Sequence, residues 1–200
     1  MSRSYELKQR AQRMDETKRR IAAATWELHR TVGPAETTIS AIAERAGVQR
    51  LTVYRHFPDE ISLFRACGQH ELSVNPLPDP ERWVAIADPA ERLRTALAEL
   101  YAHYRRSETM TANLLRDVPR MPALEEVFNE NIPPFFEEAT RNLLSAWSAA
   151  RGQDRLRTAA LGHALDFNTW RSLARVQGLA DDAAVTLMVA LVCCAAATDA

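Results

Sequence analysis

The sequence is poor in the residues that build covalent or metal-linked scaffolds. It has three cysteines in 200 residues, and two of them, Cys193 and Cys194, are adjacent. No pair has the spacing of a CxxC motif or of a zinc site, so neither a disulfide framework nor a bound metal is expected. This usage of cysteine is typical of a reducing compartment.

Long hydrophobic runs are also lacking. The longest nearly apolar stretch, 183–197, is interrupted by Thr186 and is shorter than the roughly 18–20 residues that a membrane span requires. The N-terminus is polar and charged, without the apolar core of a signal peptide. We therefore expect no membrane partner and a cytoplasmic location.

The motifs of common enzyme classes are absent. The sequence contains no HExxH, no Gly-x-Ser-x-Gly and no glycine-rich phosphate loop, and its five histidines are scattered. Each of those motifs places a nucleophile, a metal or a phosphate at a defined spacing. The sequence thus predicts no enzyme, no catalytic residue and no cofactor. Two alternatives remain open at this point: an enzyme with a helical active site, and a helical adaptor that binds only protein.

Charge is unevenly distributed along the chain. The net charge is −1, yet residues 1–56 hold eleven Lys or Arg against six Asp or Glu, whereas residues 57–200 hold fourteen against twenty. A basic end on an acidic body is typical of a protein that faces a polyanion with one end only. Charge alone equally allows a solvated basic face.

Apolar residues recur with helical spacing along the chain, and no useful period-2 run occurs, which predicts an all-α fold of about nine helices. Residues 75–80 hold three prolines in five positions and form a linker. The predicted segments are a basic N-terminal arm at 1–14, a helix-turn-helix domain at 15–58, a connecting helix at 59–74, and an effector-binding and dimerisation domain at 81–200. Within that last domain the expected helices cover about 89–106, 109–117, 123–150 with a bend or restart at Pro133-Pro134, 154–177 and 181–198.

The segment from Thr37 to Phe57 has the pattern of a helix-turn-helix. Thr37-Thr38 offers an N-cap for a first short helix, and Gly47 ends that helix at a position where a positive φ is cheap. The second helix would then bury one face and present the other to a major groove. The side chains expected on that exposed face or its flank are Gln49, Arg50, Thr52, Tyr54, Arg55 and His56.

The string AIAERAGVQRLTVYRHF, residues 41–57, closely resembles the helix-turn-helix signature of the TetR (tetracycline-repressor-like) regulators. The resemblance covers about residues 17–64. It implies a three-helix DNA-binding domain followed by a helical bundle that dimerises through its last two long helices and encloses a ligand cavity. The implied function is a ligand-responsive repressor that binds a palindromic or pseudopalindromic site in double-stranded DNA as a homodimer, with an unknown small-molecule effector.

Carried over position by position, the resemblance also implies residue roles. Arg50 and Thr52 would read bases, and Leu51 would touch a thymine methyl or the groove wall. Thr38 and Ser40 would anchor the first helix to the DNA backbone, Tyr54 and His56 would hold phosphates, and Gln49 would make an edge contact. Arg55, on the exposed face, is a further DNA-binding candidate. The chain departs from the family where a lysine usually pairs with phosphate, because Glu60 stands there.

The C-terminal residues give two further sets of candidates. Large apolar side chains at helical spacing are either effector-pocket lining or ordinary core: Tyr101, Tyr104, Met110, Leu114, Phe128, Phe136, Trp147, Phe167 and Trp170. The last two helices are too apolar for the surface of a monomer, which predicts a dimer interface. Its expected members are Leu161, Leu165, Leu187 and Leu191.

Overall fold

The computed structural model describes residues 3–147 and 154–195. Within these ranges it contains ten α-helices and no β-strand, which confirms the all-α class. The predicted helix ends at 150 and 198 lie outside the described residues. The helices are α1 (Arg3–Thr31), α2 (Ile39–Ala46), α3 (Arg50–His56), α4 (Glu60–Val74), α5 (Pro80–Trp83), α6 (Pro89–Asp117), α7 (Pro122–Leu144), α8 (Asp154–Leu165), α9 (Phe167–Arg171) and α10 (Asp181–Cys194).

Helix α1 is longer than the sequence pattern indicates. We expected an arm without regular structure at 1–14 and a helix from Asp15, but the helix begins at Arg3. Residues 3–14 hold no glycine or proline and many long unbranched side chains, which lose little rotamer freedom in a helix. Intrinsic propensity therefore extends the helix where amphipathic periodicity gives no signal.

The described chain divides into two compact units. The first contains residues up to Asn75 together with Thr109–Phe128, and the second contains Pro76–Glu108 together with the residues from Asn129 onward. Residues 109–128 therefore pack in the first unit, although the sequence places them in the segment 81–200. Helix α6 is continuous where two helices were expected, and it contributes to both units, as does α7.

The first unit has an apolar core under the helix-turn-helix. Its buried members come from α1, α2, α3 and α4: Ile21, Ala24, Ile42, Ala43, Ala46, Val53, Phe57 and Leu63. A second cluster joins Phe64 of α4 to Leu124 and Val127 of α7. Burying each large aliphatic side chain contributes about 1.5–3 kcal/mol, so both clusters hold the short helices in place.

The second unit is centred on α6, whose Leu93, Leu97 and Leu100 are fully buried. The expected single helix at 154–177 breaks at Asp166, which caps α9 by accepting hydrogen bonds from the amides of Asn168 and Thr169. Proximity of a carboxylate to a helix N-terminus is favourable. Asp166, a capping residue inside an apolar stretch, thus starts a new helix although neither glycine nor proline stands at the break.

Helix α7 continues through Pro133 and Pro134, where a bend or restart was expected. Each proline lacks the amide that would complete an intrahelical hydrogen bond. Buried residues anchor the helix on both sides, with Leu124 and Val127 before the prolines and Ala139 and Leu143 after them. Packing on both sides offsets the two missing bonds.

None of the helices within the described ranges combines the length and the apolar character that crossing a bilayer requires.

Candidate nucleic-acid interface

The turn between α2 and α3 is set by local capping. The Thr38 hydroxyl accepts a hydrogen bond from the amide of Ala41 at 3.1 Å and begins α2. Gly47 ends it with φ 64°, and the amide of Val48 donates to the oxygen of Ala43 at 2.9 Å. This is the left-handed cap that favours glycine. The predicted N-cap and glycine turn are confirmed.

Helix α1 secures the same turn from outside. Nη2 of Arg20 donates to the oxygen of Ala46 at 2.5 Å and to that of Gly47 at 3.4 Å. Two turns further along α1, Glu27 pairs with Arg45 of α2 at 2.8 Å. A cation at a helix C-terminus satisfies carbonyls that have no intrahelical partner. Arg20 therefore fixes the angle at which α3 leaves the turn.

Helix α3 buries one face and exposes the other. Val53 is 0% exposed and Phe57, just after the helix, is 3% exposed, whereas Leu51 is 75% exposed. An exposed leucine beside buried neighbours is a feature of a surface that meets a partner. The other side chains expected at the interface are placed as follows: Thr38, Ser40, Gln49, Arg50, Tyr54 and Arg55 are exposed, and Thr52 and His56 are half-buried.

The N-terminus of α3 leads with Arg50 and is preceded by Gln49, whose side chain makes no capping bond. First-turn residues of a recognition helix are those that reach base edges in known complexes. Because the Gln49 side chain makes no capping hydrogen bond, it is available for a contact with a base edge. The structure therefore brings these two residues together at the leading end of the helix.

Lys18 of α1 was not among the residues predicted to lie at the DNA interface. Its ammonium lies over the Phe57 ring at 5.7 Å from the centroid, which places a cation from α1 beside the end of α3. Burial lowers the pKa of His56, and the charges of Arg55 and Lys18 lower it further. His56 is consequently neutral near pH 7 unless an anion approaches it. The only sequence signal for Lys18 was the basic balance of the N-terminal region.

Helix α4 begins at Glu60 rather than at Pro58, where its first turn was expected. Asp59 is the N-cap, and its Oδ1 accepts from the amide of Ser62 at 2.7 Å. That bond, with a second from the Ser62 side chain, lowers the pKa of Asp59. Glu60 occupies the exposed first turn of α4, where a negative charge is favourable.

The C-terminal end of α1 is capped by a residue distant in sequence. Nδ2 of Asn113 in α6 donates to the oxygen of His29 at 2.9 Å and to that of Arg30 at 3.1 Å. The last carbonyls of a helix have no intrahelical partner. A single buried amide thus satisfies two of them and ties the last turns of α6 to the helix that carries Arg20.

The loop after α1 is tied to the same part of α6. Its Ala35 amide donates to Oδ2 of Asp117 at 3.1 Å, and Asp117 also accepts from Arg116 at 2.7 and 2.9 Å. These bonds hold the pKa of Asp117 below its usual range. Gly33 has φ 97°, and a Cβ there would lie 2.0 Å from Nη2 of Arg116. Only glycine fits that close approach.

Four of the nine effector-pocket candidates form an aromatic cluster in the second unit. Tyr101, Tyr104, Phe167 and Trp170 are buried, and the ring centroids of Tyr104 and Phe167 are 5.4 Å apart. The Tyr101 and Tyr104 hydroxyls donate to the oxygens of Ala164 at 2.9 Å and Leu165 at 2.6 Å. These hydroxyls therefore cap the end of α8.

The other five pocket candidates lie apart from that cluster. Met110, Leu114 and Phe128 belong to the first unit. Met110 is buried, and Leu114 packs against the cluster of Phe64. Phe136 is half-buried against Phe135, with centroids 5.1 Å apart. Trp147, near the end of α7, lies under the guanidinium of Arg157 at 5.3 Å.

The four residues expected at a dimer interface separate into two pairs. Leu161 and Leu165 of α8 are 0% and 2% exposed, so they belong to the core of their own chain. Leu187 and Leu191 of α10 are 47% and 42% exposed. They lie four residues apart and share one helix face. The apolar surface open to a partner is therefore on α10.

Comparison with known proteins gives a family match for the helix-turn-helix segment. A model of the bacterial regulatory proteins of the tetR family matches residues 21–67, which include α2, the turn and α3. A sequence comparison with curated proteins returns no match.

Solved structures share the fold over most of the chain. A TetR-like transcriptional regulator from Rhodococcus sp. RHA1 is 21% identical, with a TM-score of 0.64 over 92% of this chain and 97% of that one. A tetR-family transcriptional regulator from Streptomyces coelicolor is 19% identical, with a TM-score of 0.66 over 92% of this chain and 84% of that one. NalD of Pseudomonas aeruginosa, the secondary repressor of the MexAB-OprM multidrug efflux pump, is 20% identical, with a TM-score of 0.61 over 90% and 94%. The helix-turn-helix segment thus matches the tetR family model over residues 21–67, and most of the chain shares its fold with solved structures described as TetR-like or tetR-family transcriptional regulators.

Proposed function

We propose that the protein is a ligand-responsive repressor that binds a palindromic or pseudopalindromic operator as a homodimer, with α3 as the recognition helix. The observation that carries this proposal is the two-sided character of α3, which buries Val53 and exposes Leu51, Arg50 and Tyr54. Arginine makes bidentate contacts to guanine, and an exposed apolar side chain suits a thymine methyl. The repressor role is further supported by NalD, a repressor of the same fold.

The salt dependence of retention on DNA distinguishes this proposal from the alternative, an adaptor that binds only protein. A regulator should be retained on heparin or on mixed-sequence DNA at low salt and released as salt rises, because phosphate contacts displace counterions. Absence of retention at low salt would contradict DNA binding and favour the adaptor.

The homodimer is proposed to form through α10. Its exposed leucines, Leu187 and Leu191, lie on one face, and Leu156 of α8 is also exposed, at 53%. Contiguous exposed apolar surface marks an association site, and a two-fold interface would use the same patch on both copies. Such a dimer would carry two recognition helices about one helical turn of DNA apart.

We expect Leu187→Glu and Leu191→Glu each to yield a monomer at micromolar concentration. Each change places two carboxylates in an apolar interface and removes about 1.5–3 kcal/mol of burial per leucine. Sedimentation velocity measures the outcome. The matched control is Leu72→Glu, since Leu72 of α4 is 40% exposed but belongs to the first unit, whereas α10 belongs to the second. A wild-type monomer at that concentration, or dissociation by the control change alone, would contradict the interface.

The effector response is proposed to travel through α6. This helix contributes Pro89–Glu108 to the second unit and Thr109–Asp117 to the first. Asn113 and Asp117 bond the end of α1 and the loop that follows it. An effector that favours one position of α6 would therefore bias α1, Arg20 and the exit angle of α3.

Glu60→Lys is expected to steepen the salt dependence of DNA binding. If the first turn of α4 lies beside the DNA backbone, the change replaces a repulsion with a phosphate contact in each subunit. Each neutralised phosphate adds about 0.9 to the slope of log affinity against log salt, so a dimer gains about 1.8. Affinity for random DNA should rise as much as affinity for the operator, because phosphates carry no base information.

The control for Glu60→Lys is Glu81→Lys. Glu81 is also exposed in the first turn of a helix, α5, but it belongs to the second unit. Both variants change the net charge equally and lose a favourable helix-terminus interaction worth a few tenths of a kcal/mol. Equal salt slopes of DNA binding for the two variants, or a slope change below about 0.5 for Glu60→Lys, would show that Glu60 does not lie at the DNA backbone.

A further inference from the structure

A buried arginine near the start of α8 has an Nε without a hydrogen-bond partner among the described residues. Arg157 is 6% exposed, and its guanidinium lies over the Trp147 ring with Cζ 5.3 Å from the centroid. Its Nε is enclosed and makes no hydrogen bond to any residue in the described ranges. The tryptophan face attracts the cation but offers its N–H groups no acceptor.

A second arginine of the same unit shows what the fold provides elsewhere. Arg92 has the same exposure, 6%, yet each of its three guanidinium nitrogens donates at least one hydrogen bond. Its acceptors are the oxygens of Ile86 at 2.7 Å, Asn142 at 2.9 Å and Val84 at 3.0 Å, and Oγ of Ser145 at 3.0 Å. Buried charges in proteins are normally satisfied in this way. Arg157 is therefore an exception within its own unit.

A third arginine of the same unit, Arg175, shows which kind of group Arg157 lacks. Arg175 also lies over an indole, that of Trp170, with Cζ 5.4 Å from the centroid. Its Nη2 pairs with the Glu108 carboxylate at 2.5 Å. Tryptophan, guanidinium and carboxylate thus form a three-part arrangement at Arg175. At Arg157 the first two parts are present, and no carboxylate side chain that the structure describes completes the third.

We propose that Arg157 and Trp147 form a subsite for the carboxylate of a small organic ligand. The indole occupies one face of the guanidinium, and the N–H groups lie in the guanidinium plane, where a carboxylate accepts two parallel hydrogen bonds. A small anion would also neutralise the buried charge, whose isolation is costly. The subsite rests on the proposed ligand response and assigns its effector a chemical class.

The test uses the full chain, with benzoate and acetate as probes and benzamide as the neutral isostere of benzoate. In calorimetric titration, benzoate or acetate should bind while benzamide does not. Arg157→Met should weaken that binding by about tenfold or more, since hydrogen bonds to a charged group are lost. Arg175→Gln is the matched control and should bind the probe as the wild type does.

Thermal unfolding separates a ligand subsite from a structural arginine. Without any probe, Arg157→Met should unfold at the same temperature as the wild type or higher, because an uncompensated buried charge is removed. Each carboxylate that binds should raise the midpoint of the wild type and leave that of Arg157→Met unchanged. A lower midpoint for the probe-free variant, equal losses in both variants, or no binding of either carboxylate would overturn the subsite. Dissociation of a wild-type dimer by Arg157→Met would instead assign the missing acceptor to a second copy, and would also overturn it.

DNA retention measured on the same samples keeps the two proposals distinct. If the wild type binds DNA but neither carboxylate, the subsite fails and the DNA-binding function stands. If carboxylate binds at Arg157 and DNA retention never responds to it, the subsite stands and the ligand-responsive function fails.

Discussion

Arg50→Ala should weaken operator binding by about 1–3 kcal/mol per half-site, or about fivefold to 150-fold in each, and relax the preference at one base position. The reason is that Arg50 is the exposed first residue of α3, where a guanidinium can reach the O6 and N7 acceptors of guanine. Because a dimer uses two half-sites, the free-energy losses add. Affinities for the operator and for random DNA, measured at one salt concentration, give the specificity ratio.

Two further variants serve as controls for Arg50→Ala. Tyr54→Phe removes a hydroxyl proposed to contact phosphate, so it should weaken all DNA sites alike. Arg45→Ala removes an exposed arginine of α2 that already pairs with Glu27 of α1 and is not on the recognition helix, so it should leave the specificity ratio unchanged. If Arg50→Ala lowers affinity equally for operator and random DNA, Arg50 contacts phosphate and does not read a base.

Lowering the pH from 6.5 to 4 should destabilise the first unit by about 3 kcal/mol, at about 1.4 kcal/mol per pH unit. Burial lowers the pKa of His29 from its ordinary value of 6.5 to about 4, against a smaller opposing effect of Asp117. Between these values the unfolded chain binds a proton that the folded chain does not. Stability is therefore complete above pH 6.5 and falls as the pH drops toward 4.

The surroundings explain why His29 stays neutral. Its Nδ1 lies 3.4 Å from Sγ of Cys67, and its ring packs against Phe64 at 5.7 Å between centroids. Burial, together with a smaller effect of the charge of Glu71, raises the pKa of the Cys67 thiol to about 12. The thiol keeps its proton and can donate it to a neutral Nδ1. A proton on that nitrogen would face an apolar site and another donor.

Denaturant unfolding of wild type, His29→Gln and His70→Gln at several pH values tests this assignment. His29→Gln should reduce the slope between pH 6.5 and 4, even if the substitution itself lowers stability. His70→Gln, on the neighbouring helix α4, should keep the wild-type slope. Asp117 has a lowered pKa as well, but its stabilisation is lost only as the pH falls below about 4. An unchanged slope in His29→Gln would contradict the assignment.

The sequence was most informative where structure is set by near neighbours. Thr38 and Gly47 act within three to five residues of their partners, so capping rules predict α2 and the turn correctly. The string at 41–57 likewise predicts the family, which the family model confirms. Expectations based on one-residue signals were weaker, because α7 tolerates two prolines, α8 contains Gly162, and the break comes instead at the capping residue Asp166.

The remaining features depend on partners distant in the chain. Arg20 reaches a turn 26 residues away, and Asn113 caps a helix end more than 80 residues away. Leu161 and Leu187 have the same side chain, yet one is buried and the other exposed. Periodicity cannot distinguish a core leucine from an interface leucine, because both give the same apolar stripe. Packing decides between them.

The central claim is that two copies of α3 read DNA from one dimer. Its most direct test is selection of binding sites by the purified full chain from a pool of random duplexes, followed by sequencing. The account predicts an inverted repeat whose half-sites are centred about 10 base pairs apart or a multiple of that distance, and loss of one preferred position in each half-site with Arg50→Ala. Enrichment of no motif, or of a single motif without symmetry, would contradict it.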